Sequence, residues 1–203
     1  MDKQYRMKKL LPILLILTAC NNSDVKTVDP QPDSTSSPEV IDKVDTVLTS
    51  ESFKFFTKPE KQNSMGSYKM VSTWKEDSMI ISEFSTTNKF LDTYKELLRF
   101  SPDSLYYIDM GSYNVEVETD ANGKKIYQDL GPDTEISLVS MNDNKKRRLL
   151  FLGPGSIVED AGWMDKETLL IAGRQLRPDG NSAYNVIWKY HLPTHTFFMY
   201  EQQ

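Results

Sequence analysis

Two adjacent carboxylates, Glu159 and Asp160, precede Trp163 and are the side chains whose spacing best suits acid–base chemistry. Paired carboxylates can act as general acid and general base when their surroundings separate their pKa values. Asp109, at the end of an apolar segment, is a third candidate. Acids beside turns are usually solvated, so we predict no catalytic residue and regard Glu159, Asp160 and Trp163 as candidate ligand contacts.

The two histidines, His191 and His195, are four residues apart, a spacing that would place both on one face of a helix. Pro193 lies between them and is poorly compatible with a helix, and the sequence indicates no third ligand. We interpret both histidines as turn residues and expect neither a metal nor a cofactor. Fingerprints of nucleotide-binding loops and of Gly-x-Ser-x-Gly hydrolases do not occur in the sequence.

Aromatic and basic side chains supply two further candidate surfaces. Trp74, Trp163 and Trp188 could stack on sugars or peptides, but we expect all three in the core, where aromatic side chains bury most area. The basic run 145–148 is expected at a charged hairpin end that blocks edge-to-edge strand pairing. Contact of this run with anionic lipid or glycan is the alternative.

The N-terminal segment contains the most specific pattern in the sequence. A basic stretch precedes an apolar run, residues 10–17, which is too short to cross a bilayer of about 30 Å. The small residues Thr18 and Ala19 then lead to Cys20, the only cysteine in the chain. Met7, followed by two lysines, is an alternative start of translation.

This segment resembles the signal peptide and lipobox of bacterial lipoproteins, because Leu17-Thr18-Ala19-Cys20 fits their pattern of leucine, a small residue, alanine or glycine, and cysteine. The resemblance implies removal of residues 1–19 and lipid on the sulfur of Cys20. Two or three acyl chains hold a protein firmly on a membrane. An ordinary secretory signal with an unrelated cysteine is the alternative. Asn21 stands where enterobacterial lipoproteins of the inner membrane carry aspartate, so the resemblance implies the outer membrane, on a side it does not specify.

Composition limits what the rest of the chain can do. Residues 1–19 hold four basic residues and one acid, so the formal net charge falls from −5 to −8 without them. Such an acidic body repels nucleic acid and anionic headgroups, and we expect no nucleic-acid partner. If Cys20 carries lipid, the mature protein has neither a thiol nor a disulfide, which excludes cysteine nucleophiles and cysteine zinc sites.

We divide the chain into a signal peptide (1–19), a lipidated cysteine with a flexible tether (20–50) and one β-rich globular domain (51–203). The tether is rich in Asn, Asp, Ser, Thr and Pro, a composition that disfavours a packed core. In the domain, alternation near 68–73, apolar segments after 104 and the Asn122-Gly123 pair predict antiparallel strands and hairpins. One helix is predicted from Asn88, as N-cap, to Arg99.

Three segments share an aromatic residue, a polar turn with an acid and an apolar strand; they begin at Thr73, Arg99 and Gly162. Phe100-Ser-Pro-Asp-Ser104 and the final hairpin, 187–196, resemble TolB-type β-propeller blades. Closed propellers need about four or more blades, and this chain has room for two or three. We therefore expect a mainly β fold of blade-like antiparallel meanders packed face to face, as an incomplete propeller or a sandwich.

These observations favour a lipid-anchored protein of the cell envelope with a non-catalytic β-rich domain that binds a protein or a small ligand. One alternative is an envelope hydrolase that uses the carboxylates near Glu159. Another is a structural subunit that completes a propeller by oligomerisation. The membrane, through lipid on Cys20, is the one partner that the sequence identifies.

Overall fold

Antiparallel β-strands make up most of the chain that the structure describes. The computed structural model describes residues 47–48, 50–58, 61, 67–77 and 79–203. Its strands are β1 (Val47–Leu48), β2 (Tyr68–Lys75), β3 (Ile81–Glu83), β4 (Leu98–Phe100), β5 (Tyr106–Asp109), β6 (Val115–Thr119), β7 (Lys125–Asp129), β8 (Thr134–Ser140), β9 (Lys145–Leu152), β10 (Ser156–Trp163), β11 (Thr168–Leu176), β12 (Ala183–His191) and β13 (Thr196–Gln202). Helical segments include α1 (Ser50–Phe53) and α2 (Asn88–Tyr94). The predicted mainly β, antiparallel fold is confirmed.

The strands form two large sheets and one separate hairpin. The first sheet has the order β1-β2-β13-β12-β11-β10, so its last four strands in sequence form a simple meander. The second sheet has the order β3-β9-β8-β5-β4, and β6 pairs with β7 alone. Every neighbouring pair in these sheets is antiparallel, as the predicted hairpins require.

The two large sheets pack face to face around the main hydrophobic core. Ile108, Ile136 and Leu138 of the second sheet lie in one buried cluster with Trp163 and Trp188 of the first. In a strand, alternate side chains point to opposite faces, so each sheet offers one face to this core. Trp74 is partly buried against the same cluster. All three tryptophans therefore pack in or against the core, as predicted.

Both outer faces of this pair of sheets are also covered. On the first sheet, Leu48, Phe53 and Phe56 form a buried cluster with side chains of β11 to β13. On the second sheet, Phe90 and Tyr94 of α2 pack with three buried residues, Leu98, Tyr107 and Val139. Strands buried on both faces read as apolar runs rather than alternating ones, which explains the sequence of β11.

The helix predicted from Asn88 to Arg99 is shorter than expected. The α-helical part ends at Tyr94 and a 3₁₀ turn follows, after which residues 98–100 form β4. The N-cap is Thr87, whose hydroxyl accepts a hydrogen bond from the Phe90 backbone N–H at 3.1 Å. The sequence predicts the N-cap at Asn88, one residue too late, because Thr and Asn are both good N-caps.

The N-terminal predictions fall mainly outside the described residues. Residues 1–46 lie outside the described residues, and they include the predicted signal peptide, Leu17 to Cys20 and most of the predicted tether. The described packing begins with β1, where Leu48 is fully buried although the sequence placed it in the tether. Within the described residues, no helix is long and apolar enough to span a membrane.

Candidate functional site

The predicted acid pair lies on β10, at a β-bulge. The pairing of β10 with β11 shifts register between Val158 and Asp160, so Glu159 is an extra residue that has no opposite residue in the backbone register of β11. Bulges re-aim side chains locally, and the two neighbouring carboxylates accordingly meet different partners. Their surroundings decide whether they are available for chemistry.

Asp160 is fully buried and its carboxylate is saturated with donors. It accepts hydrogen bonds at 2.7 Å from the backbone N–H of Thr57 and from that of Lys58. The Thr57 hydroxyl donates to it at 2.7 Å, and the Arg99 guanidinium lies 3.2 Å away. We call Thr57, Lys58, Arg99 and Asp160 the Asp160 latch, because they join the segment after α1 to β4 and β10.

Glu159 and Trp163 are engaged as well. Glu159 is ion-paired with Lys61 and, at 3.0 Å, with Arg174. The Trp163 indole N–H donates to the Arg99 carbonyl oxygen at 2.9 Å, so it contacts the same arginine as Asp160 does. The three predicted ligand contacts thus lie near one another. Asp160 and Trp163 are buried and Glu159 is ion-paired, and their role in ligand binding stays a prediction.

The third carboxylate, Asp109, lies in an ionic network on the outer face of the second sheet. Asp109 is buried and lies 3.1 Å from the Lys146 ammonium. Lys146 and Arg148 also flank Glu135, at 3.5 and 2.8 Å. Burial opposes ionisation of Glu135, but hydrogen bonds from Ser137 and Arg148 outweigh it and lower the pKa of Glu135.

The basic run 145–148 begins the second strand of the β8–β9 hairpin, as predicted, but it does not protect a sheet edge, so that part of the prediction is wrong. These residues begin β9, which pairs with β8 on one side and with β3 on the other. Two of the four cations, Lys146 and Arg148, belong to the network with Glu135 described above. The run was misread because β3 is only three residues long and far from β9 in sequence.

A pocket of about 420 Å³ opens at one end of the space between the two sheets. We call it the end pocket. Its apolar walls come from both sheets and the connections beside them: Leu105, Tyr106, Leu138, Tyr190, Leu192 and Pro193. Arg147 and His195 supply polar groups, and Asp103, Lys166 and Glu167 complete the lining. Polar and apolar groups have similar shares of this lining.

Arg147 enters this pocket because of the alternation of β9. It pairs with Leu138, a residue of the core between the sheets, whereas its neighbours Lys146 and Arg148 belong to the network on the outer face. The guanidinium lies 3.0 Å from Nε2 of His195. Within the described residues, no carboxylate lies within 4.0 Å of Arg147. Its charge is therefore uncompensated by a direct ion pair there.

His195 is held in an unusual backbone conformation beside Arg147. Its φ of 53° is in the left-handed region, which few residues other than glycine adopt. The pKa of His195 is lowered by burial and by the nearby Arg147 guanidinium. A neutral imidazole can accept the Arg147 N–H at Nε2 only when its own proton is on Nδ1.

The prediction of turn residues holds for His195, which lies in the β12–β13 turn, but not for His191, and the two histidines do not act together. His191 ends β12, and its Nδ1 lies 2.9 Å from the Thr194 hydroxyl, whereas His195 faces Arg147. No group of three metal-binding side chains occurs among the residues that the structure describes. The sequence analysis did not identify Arg147 as a candidate. Strict alternation along 145–148 would have assigned it to the opposite face of the strand from Lys146 and Arg148.

Comparisons with protein-family models, with curated proteins and with solved structures found no match to this chain.

Proposed function

We propose that this protein is a non-catalytic binding protein whose β domain takes a small ligand in the end pocket. The observation that carries this proposal is Arg147, a partly buried cation in the pocket lining that forms no direct ion pair with a described carboxylate. Charged groups withdrawn from water are normally paired, because burial without a partner is costly. A cation that faces a cavity without such a partner is therefore suited to a ligand.

The state of the carboxylates supports binding over acid–base catalysis. Asp160 is enclosed by donors and holds structure together, and Glu159 is paired with two cations. A general base must reach a substrate proton within hydrogen-bond distance. The carboxylate oxygens of both residues are already hydrogen-bonded or ion-paired with other parts of the fold.

The end pocket can be tested as a binding site with a mixed panel of neutral, anionic and cationic small molecules. The complete chain carrying Cys20→Ser, so that it stays free of lipid, is titrated while its ¹H–¹⁵N spectrum is recorded. We expect at least one compound class to shift the amides of Leu138, Tyr190 and Leu192 in a saturable way. Shifts confined to other surfaces, or none, would contradict the proposal.

We further propose that the domain is held in the bacterial envelope by lipid on Cys20. The fit of Leu17-Thr18-Ala19-Cys20 to the lipobox pattern supports this location, and the acidic body suits a domain that stands clear of anionic headgroups. When bacteria are fed an alkyne fatty acid, the wild-type protein should become labelled. After fractionation of the membranes, it should be found in the outer-membrane fraction. Cys20→Ser should abolish the label, whereas Thr18→Ser, which keeps a small residue, should retain it. Equal labelling of Cys20→Ser would overturn the assignment.

A further inference from the structure

We infer that the ligand of the end pocket is an organic monocarboxylate with an apolar body, bound through its carboxylate to Arg147. This inference rests on the proposed binding function and adds the chemical class of the ligand. It follows from three features of the pocket: the donors of Arg147, the charges at the rim and the nature of the walls.

The Arg147 guanidinium has N–H donors that are available to bind an oxyanion. A guanidinium carries five N–H donors in a planar fork that matches the two oxygens of a carboxylate. In the described residues, the one hydrogen bond of the Arg147 side chain goes to His195 Nε2. His195 is a positioning residue in this arrangement, since a bond to one terminal nitrogen fixes the plane of the fork and leaves the other donors for a ligand.

The rim favours a single negative charge. Lys166, which also lines the pocket, is already 3.4 Å from the carboxylate of Glu167. Asp103 is fixed by the Ser101 hydroxyl at 2.7 Å and by the Leu105 backbone N–H at 3.1 Å. A ligand with two negative charges would face the Asp103 and Glu167 carboxylates as well as Arg147. Like charges at such a site oppose binding, so a phosphate monoester fits less well than a carboxylate.

The walls favour an apolar body on this anion. Leu105, Leu138, Leu192 and Pro193 offer aliphatic surface, and Tyr106 and Tyr190 offer aromatic surface. The volume of about 420 Å³ is within the range of small-molecule sites, roughly 300–1,000 Å³. An aryl or alkyl group can therefore contact these side chains while the carboxylate contacts the arginine.

The test compares 3-phenylpropionate with its neutral amide, 3-phenylpropanamide, and with phenethyl phosphate as a dianion of similar shape. Each is titrated into the complete chain carrying Cys20→Ser, with affinity and site read from ¹H–¹⁵N spectra. We expect the acid to bind at the end pocket at millimolar concentration or below. The amide should bind at least about tenfold more weakly, which corresponds to the loss of one charge-assisted contact. The phosphate should also bind at least about tenfold more weakly, because its second negative charge is repelled by the Asp103 and Glu167 carboxylates.

A pair of variants assigns the effect to Arg147. Arg147→Met keeps an apolar stem and should remove the preference for the acid over the amide, while the rest of the spectrum stays folded. Arg177→Gln, at an exposed arginine stacked on Tyr184, is the matched control and should bind the acid as the wild type does.

The possible results separate the ligand class from the pocket itself. If acid and amide shift the pocket amides equally well, the ligand class is wrong while the binding function stands. If Arg147→Met keeps the preference for the acid, the carboxylate is bound elsewhere and the inference is overturned. If none of the compounds, nor the mixed panel, shifts the pocket amides, both the inference and the proposed function fail.

Discussion

Arg99 on β4 and Arg147 on β9 both pair with residues of the core between the sheets, but their charges are met in different ways. Arg99 pairs with Ile108 and Arg147 with Leu138 across their strands. Arg99 meets the fully buried carboxylate of Asp160 and the hydroxyl of Thr57. Arg147 meets the neutral ring of His195 beside an open pocket. Both arginines line pockets, so they differ in the group that each guanidinium meets.

The difference shows how to separate a structural ion pair from a binding group. In the Asp160 latch, the Arg99 guanidinium is paired with the buried Asp160 carboxylate, and breaking such a buried pair leaves donors without acceptors. Among the described residues, no carboxylate forms an ion pair with Arg147. We therefore expect the latch to control stability and the end pocket to control ligand affinity.

The largest effect is expected from Asp160→Ala. This change leaves the Arg99 guanidinium and the N–H groups of Thr57 and Lys58 without their acceptor, and it should lower the free energy of unfolding by about 3–5 kcal/mol. Arg147→Met loses one hydrogen bond to a neutral partner and should cost about 1 kcal/mol or less. Urea denaturation of both variants measures the difference.

Asp160→Asn serves as the control for shape. The amide oxygen can still accept from the backbone N–H groups, but the charge opposite Arg99 is gone, so its cost should fall between that of Asp160→Ala and that of the wild type. The comparison breaks down if Arg147→Met proves as destabilising as Asp160→Ala.

A smaller loss is expected from Gly162→Ala, which tests how closely residues 55–56, just before the Asp160 latch, lie on β10. A Cβ on Gly162 would be 2.0 Å from the Phe55 carbonyl oxygen, so the backbone of residues 55–56 would have to move. Forced shifts of this kind typically cost about 1–3 kcal/mol. Gly155→Ala is the matched control, because its Cβ would meet Leu176 at an ordinary 3.7 Å. Thermal unfolding of the two variants should differ clearly; equal melting temperatures would mean that the segment is not packed as closely as described.

The smallest effect concerns pH and His195. Burial and the charge of Arg147, with a smaller contribution from Lys75, lower the pKa of His195, while Asp77 opposes them. The unfolded chain protonates this histidine near pH 6.5, so between that value and the lower folded pKa it binds more protons than the folded state. Stability should therefore fall as the pH drops through this window. His195→Asn tolerates the left-handed backbone and removes the proton site. Its stability should depend less on pH than that of the wild type between pH 7 and 5; identical pH profiles would contradict the assignment.

Local patterns in the sequence are enough to predict the strands but not the ion pairs. Alternation and the Asn122-Gly123 turn correctly predict the β6–β7 hairpin, because those signals act over a few residues. The end of α2 is mispredicted because Leu98 fits a helical stripe, yet pairing with Asp109 of β5 places it in a strand. Distant pairing overrides local spacing at that point.

The two sites differ in how much of them the sequence reveals. Arg99 and Asp160 are 61 residues apart, and nothing local to either indicates the other. Arg147 is different, because strand alternation alone assigns it to the opposite face from Lys146 and Arg148. The sequence does not predict that His195 lies beside Arg147. The two residues are 48 positions apart, and the β12–β13 turn brings them together.

The most direct test of this account measures thermal unfolding of the wild type and of Arg147→Met, each with increasing 3-phenylpropionate. A ligand that binds only the folded state raises the melting temperature with its concentration. We predict a steady rise for the wild type. Arg147→Met should begin at nearly the same melting temperature and remain there. An equal rise in both proteins would show that Arg147 does not bind the carboxylate, and would contradict the account.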